Sequence, residues 1–152
     1  MRRKDKEIKD KNEIEAILEK ATFCRVAFSE NETPYIVPVN FGYEDDCLYF
    51  HSASDGRKIE TIKKNNRVCF EMDIDQEVVK SEKPCNWSVK YRSVIGFGRA
   101  LFVDDLEEKR RALNIIVRHY SGAFYDYPDN ALREVAVVKI EIESMTGKKS
   151  GY

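Results

Sequence analysis

Short apolar runs separated by polar turns dominate the chain from residue 23 onward, and helical spacing takes over in only a few places. Phe23, Val26 and Phe28 mark a first strand over residues 23–29, and Glu30-Asn31-Glu32-Thr33 turns it back as a hairpin. The next run, residues 34–41, is nearly all apolar and reads as a strand buried on both faces. Pro34 and Pro38 each remove a ladder donor, which places that strand at an edge or beside a bulge. Asn40 is its one strongly polar side chain, and a buried amide there needs partners. Residues 42–46 read as a turn and 47–51 as a strand. Val68, Phe70 and Met72 alternate in another strand over 67–73, after which residues 76–84 are polar and loop-like. The longest β-like run covers 87–102, where Gly96 and Gly98 suggest a bend, a bulge or a close approach by a ligand or backbone. A last strand spans 135–142.

Three segments have helical spacing. Ile14, Ile17, Leu18 and Ala21 form a narrow apolar stripe on a charged helix over residues 6–20, suited to lie across one end of the core. Lys58, Ile59 and Ile62 start a short helix. Leu106, Leu113, Ile116, Val117 and Tyr120 share one face of a third, with Asp104-Asp105 as its cap and Ser121-Gly122 at its end. Phe124, Tyr125 and Tyr127 then fall in a loop closed by Pro128 and read as a cover over a core edge, with a partner surface as the alternative. Hairpin-linked strands with helices inserted at a few connections predict a mainly β fold, an antiparallel barrel with peripheral helices. The βαβ alternation of a doubly wound sheet is missing, as are GxGxxG and P-loop motifs.

At 152 residues the chain accommodates one domain, residues 1–152, with an N-terminal helix within 1–21 and a basic tail over 145–152. Its 26 basic and 27 acidic residues nearly cancel, so no global field recruits nucleic acid or an anionic membrane. Arg2, Arg3, Lys4 and the Lys148-Lys149 tail read as solvated charge rather than as a nucleic-acid surface. No apolar run approaches the roughly 20 residues that cross a bilayer, and residues 1–11 are too charged for a signal peptide. A soluble cytoplasmic protein is expected. Cys24, Cys47, Cys69 and Cys85 lack CxxC spacing and read as reduced and structural, with no metal site.

The candidate chemistry gathers where the strand ending in Tyr49-Phe50-His51 passes through Ser52-Ala53-Ser54-Asp55-Gly56 into the helix begun by Arg57-Lys58. A helix start presents unpaired backbone N–H groups, and two hydroxyls and two cations stand beside them, so an anion, foremost a phosphate, can be held. The alternative is an ordinary helix capped by Asp55, with its basic side chains in water.

Taken in order, Pro34-Tyr35-x-Val37-Pro38-Val39-Asn40-Phe41, Tyr49-Phe50-His51-Ser52-Ala53-x-x-Gly56-x-Lys58, Cys85-x-Trp87 and Tyr91-Arg92-Ser93-Val94-Ile95-Gly96-Phe97-Gly98 resemble the flavin-binding split-barrel proteins related to pyridoxamine 5'-phosphate oxidase. Among these the chain is most similar to the nitroimidazole-resistance branch, over residues 23–149. The resemblance implies a six-stranded antiparallel split barrel, a homodimer, and FMN, or FAD in its place, at the subunit interface. It implies that Arg57 and Lys58 bind the phosphate with His51 and Ser52 beside it. It also implies that the backbone of Val37, Pro38, Val39, Asn40 and Phe41 faces the ring, and that Ser93 stands where the oxidases have a cofactor-touching glutamine. The oxidases' C-terminal substrate-holding segment has no match in Lys148-Lys149-Ser150-Gly151-Tyr152, which argues against oxidation of a vitamin B6 phosphate.

The activity so implied is reduction of a small oxidised acceptor such as a nitroimidazole, with NAD(P)H as the donor. His51 is the candidate proton donor, because both its protonation states are accessible near neutrality. Its alternative is a packed strand-end histidine, or one bonded to the phosphate. His119, near a helix C-terminus, reads as structural. A second class is a protein that holds FMN, haem or a deazaflavin without turnover.

Overall fold

The computed structural model describes residues 3–152, so Met1 and Arg2, part of the N-terminal basic run, lie outside the described residues. The chain forms β1 (Glu7–Ile8), α1 (Lys11–Lys20), β2 (Cys24–Glu30), β3 (Thr33–Val39), β4 (Phe41–Glu44), β5 (Cys47–Ala53), α2 (Arg57–Lys64), β6 (Arg67–Val79), β7 (Ser88–Val103), α3 (Leu106–Ser121), α4 (Asp129–Glu134) and β8 (Val135–Ser150). The strands make one antiparallel sheet in the order β3-β2-β6-β7-β8-β5-β4, with β1 paired to β8. The two ends of that path, β3 and β4, are consecutive in sequence and separated only by Asn40. The sheet therefore curls round on itself, and its inward side chains enclose Val26, Phe28, Phe41, Phe50, Phe70, Met72, Val94 and Ile140.

Eight strands replace the expected six. The run read as one strand over 34–41 divides at Asn40, pairing with β2 before it and with β5 after it, and the two-residue β1 adds an eighth. Position 3.6-spacing alone also misplaces the start of α1. Asp10 accepts a hydrogen bond from the Asn12 N–H at 3.0 Å and caps the helix, so the chain before it is free to pair as β1.

Several polar stretches prove to be strand. Tyr43 and Glu44 extend β4, and the β4–β5 turn needs only Asp45 and Asp46, both at positive φ. Gln76 to Val79 prolong β6 past a bulge at Asp75, and residues 146–150, expected as a tail, pair with β7. Such segments lack an apolar signature because little packs on them; ladder hydrogen bonds to a long neighbour hold them. Gly96 and Gly98 stand for a close approach and a bulge. A Cβ on Gly96 would meet the Phe70 ring at 2.1 Å, and one on Gly98 would meet the Glu141 carbonyl at 2.3 Å where the β7–β8 register shifts.

A second core lies outside the barrel, where α3 and α4 bury Ala112, Leu113, Ile115, Ile116 and Leu132 against Tyr49 and Val137. Asp105 caps α3 through the Glu107 and Glu108 N–H groups, and Gly122 ends it in the left-handed conformation. Of the aromatic loop only Tyr127 packs on this core; Phe124 and Tyr125 are exposed, and α4 follows them unannounced by any apolar periodicity. No described helix is long and apolar enough to cross a membrane.

Candidate functional site

Phe50 ends the buried part of β5, His51 after it is exposed, and three residues beyond the strand's last residue, Ala53, the backbone turns at Gly56, whose φ of 102° is closed to most L side chains. Gly56, not Asp55, occupies the N-cap, and no side chain caps the helix. The first N–H groups of α2 are thus left to an outside acceptor, which is the condition an anion site requires. The helix is fixed from within: Ile59 and Ile62 are buried, and the Thr61 hydroxyl donates to the Arg57 carbonyl at 2.8 Å.

Arg57 and Lys58 are seated on aromatic rings from two different strands. The Arg57 guanidinium lies 4.4 Å from the centroid of Tyr35 on β3, and the Lys58 ammonium 5.4 Å from that of Phe50 on β5. Among the described residues neither cation has a carboxylate within ion-pair distance; Glu30, on the neighbouring strand, is engaged by Lys64 at 2.6 Å. Burial lowers the Lys58 pKa. His51 is exposed as a residue, yet protein along its flank and then the Lys58 charge lower its pKa too. Three groups of one sign or potential sign, whose nearest counter-charge, Glu30, feels Arg57 but is bonded to Lys64, fit an oxyanion such as a phosphate monoester.

The expected edge strand is present. β3 pairs only with β2, but it is not buried on both faces: Pro34, Ile36 and Pro38 are exposed, while Tyr35, Val37 and Val39 face inward. A groove of about 380 Å³ runs along it, lined by Phe23, Arg25, Ile36, Val37 and Pro38. Asn40 is exposed at the division between β3 and β4, so its amide is free rather than buried. Phe41 pairs with Phe50, which carries Asn40 towards His51 and joins the edge to the helix start. The Phe41 N–H is already taken, donating to the Tyr120 hydroxyl at 3.0 Å, and that hydroxyl donates to the Thr22 carbonyl at 2.9 Å. His119 beside it bonds the Ala21 carbonyl through Nε2 at 2.7 Å and packs on Phe41, the structural role expected.

Ser93 is not brought to this place. It alternates with core-facing Val94 on β7 and so points to the other face of the sheet, where it is nonetheless buried (8% exposed), three strands from β3, or roughly 14 Å at ~4.8 Å per strand. A surface cavity of about 570 Å³ lies at the other end of α2, between Lys63, Arg67 and Arg99, and is lined by none of the expected residues. Two contributors escaped the sequence reading, Tyr35 beneath Arg57 and Tyr120 behind Phe41. An aromatic next to a proline in a strand gives no sign that a cation will lie on it.

Residues 10–149 match the family model of pyridoxamine 5'-phosphate oxidase. The chain belongs to the pyridoxamine 5'-phosphate oxidase family. Within it, the chain is 42% identical to a candidate 5-nitroimidazole antibiotic resistance protein from Bacteroides thetaiotaomicron, with a TM-score of 0.85 over 94% of this chain and 86% of that one. The fold is shared at lower identity with an FAD- and haem-binding protein from Mycobacterium smegmatis (18%, TM-score 0.87, 97% and 74% covered). It is shared likewise with an FAD-binding protein from Mesorhizobium loti (24%, TM-score 0.68, 93% and 96% covered). No curated protein matches significantly. As a member of the oxidase family the chain is a split barrel whose strand ends and helix starts are set as described above. Among the described residues it has no cluster of three or more metal-ligating side chains.

Proposed function

We propose that this chain is a flavin-dependent oxidoreductase of the nitroimidazole-resistance type. It would hold FMN with the phosphate on the start of α2 and the ring along the β3 edge, between two copies of the chain. The observation that supports this most directly is the pair Arg57 and Lys58, two cations without acidic partners at an uncapped helix start beside a proline-marked edge strand.

Bound there, the flavin supplies two-electron chemistry, from a donor such as NAD(P)H to a small oxidised acceptor such as a nitroimidazole. The chain's part is to bind, orient and exclude water. Arg57, Lys58 and the first N–H groups of α2 hold the phosphate, with the Ser52 hydroxyl beside them. The backbone of Val37, Pro38, Val39 and Asn40 meets the polar edge of the ring, whereas Phe41, its N–H engaged by Tyr120, contributes only packing. His51, its pKa lowered by burial and by the Lys58 charge, favours the neutral imidazole and offers the acceptor a ring N–H as a hydrogen-bond donor, while its imidazolium fraction is the form that can give up a proton. Ser93, on the outer face, joins the site only across an interface between copies, which is why the proposal requires a homodimer.

Titration of the purified chain with FMN, followed by quenching of flavin fluorescence, tests the reading. Saturable binding and NAD(P)H-driven loss of a nitroimidazole chromophore are expected. Lys58→Ala should weaken FMN by about ten- to a hundredfold, the worth of a charge-assisted contact. Binding without turnover would reduce the protein to a flavin carrier, and a chain indifferent to FMN would end the proposal.

A further inference from the structure

We infer that Tyr35 positions Arg57 for phosphate recognition, so that discrimination between a phosphorylated flavin and its unphosphorylated form depends on a ring in β3 that need not touch the phosphate. The inference rests on the flavin site proposed above.

Among the described residues the Arg57 side chain has no ion pair and no hydrogen bond; Glu30 feels its charge from beyond ion-pair distance, and the Tyr35 ring, its centroid 4.4 Å from the guanidinium carbon, is the contact that seats it. An arginine without such a seat samples many rotamers, and its fork meets an oxyanion only after losing that freedom. Held over the ring and with no hydrogen bond or ion pair spent among the described residues, the guanidinium keeps its N–H donors available for two oxygens at once. The seat is itself rigid. Tyr35 packs against the barrel core, its ring 6.1 Å from that of Phe28, which is 2% exposed. The Tyr35 hydroxyl has no hydrogen-bond partner among the described residues, so the ring face, not the oxygen, does the holding. Because Tyr35 lies in the strand whose edge lines the groove, one strand fixes both the groove wall and the cation at the phosphate end.

The test compares FMN with riboflavin on the full chain, by fluorescence titration of both ligands. Wild type should prefer FMN. Tyr35→Leu, which keeps an apolar side chain towards Phe28, should cut the FMN-to-riboflavin affinity ratio by about three- to fivefold, the reach of an exposed cation–ring contact, while riboflavin affinity holds. Tyr35→Phe should keep the wild-type ratio. Arg57→Ala should lower the ratio, and adding Tyr35→Leu to it should lower it no further, whereas a merely structural effect would add to it or weaken both ligands alike. An unchanged ratio in Tyr35→Leu, with wild type preferring FMN, would overturn the inference alone. A wild type that does not distinguish the two ligands would overturn the phosphate site and the inference with it.

Discussion

His51 and Lys58 set the pH behaviour of the joint. In the folded chain burial and the Lys58 charge both favour the neutral imidazole, so the unfolded chain takes up the proton first as pH falls through the ordinary value of about 6.5. The stability linked to this group is therefore complete above that pH and declines below it, through the lowered folded value. Lys58→Gln should move the His51 titration upward in an NMR experiment, but only part of the way, since burial is the larger cause. A His51 pKa that ignores Lys58→Gln would separate the two side chains. His51→Phe should leave FMN affinity within a few-fold and abolish acceptor turnover; full turnover in that variant would return His51 to a packing role. The cationic helix start of Arg57 and Lys58 was legible in the sequence because the two residues directly follow Gly56. The rings beneath them were not: Tyr35 lies two strands earlier and is brought over only by folding, and Phe50, though close in sequence, carries no local sign that a cation will return onto its face.

Among the elements, the division of one extended run into β3 and β4 is what opens an edge beside a helix start. It is secured from α3, where the Tyr120 hydroxyl both receives the Phe41 N–H and donates to the Thr22 carbonyl. Tyr120→Phe leaves that N–H unpaired and should cost about 1–2 kcal/mol in denaturant unfolding, with FMN affinity falling as the edge loosens. A variant as stable as wild type would show that water replaces the hydroxyl. The two prolines announced an edge correctly. They could not announce that the strand changes partner at Asn40, since a change of partner depends on which neighbour is present, and no local pattern encodes that. The same reason hides β1 and the outer parts of β6 and β8.

At the scale of the molecule, the outer face of the sheet carries Ile36, Ile95 and Phe97, 60%, 44% and 51% exposed. The strand registers connect them across β2 and β6, with Ile36 opposite Ala27 and Cys69 opposite Phe97. Apolar side chains gathered this way mark an interaction surface, and under the proposed function it is where two copies meet. Phe97→Asp should therefore convert a dimer into a monomer in sedimentation and lose FMN with it, while the monomer keeps its β-type circular dichroism. Dimers that survive Phe97→Asp would place the contact elsewhere.

By itself the sequence determined the β character of the chain, the faces of α1 and α2, the edge status of the proline-bearing run and the cationic helix start, but only part of the α3 face, where Leu113 and Ile116 are buried, Ala112 and Ile115 join them unforeseen, and Tyr120 is exposed. Each follows from spacing or from the chemistry of neighbouring residues, and both are local. Only the tertiary structure decided that the sheet closes on itself through Asn40, that Tyr35 seats Arg57, that Tyr120 pins Phe41, and that Ser93 faces away from the joint. Those outcomes depend on which distant strands pair and in what register, a choice made by the packing of the whole core rather than by any stretch within it.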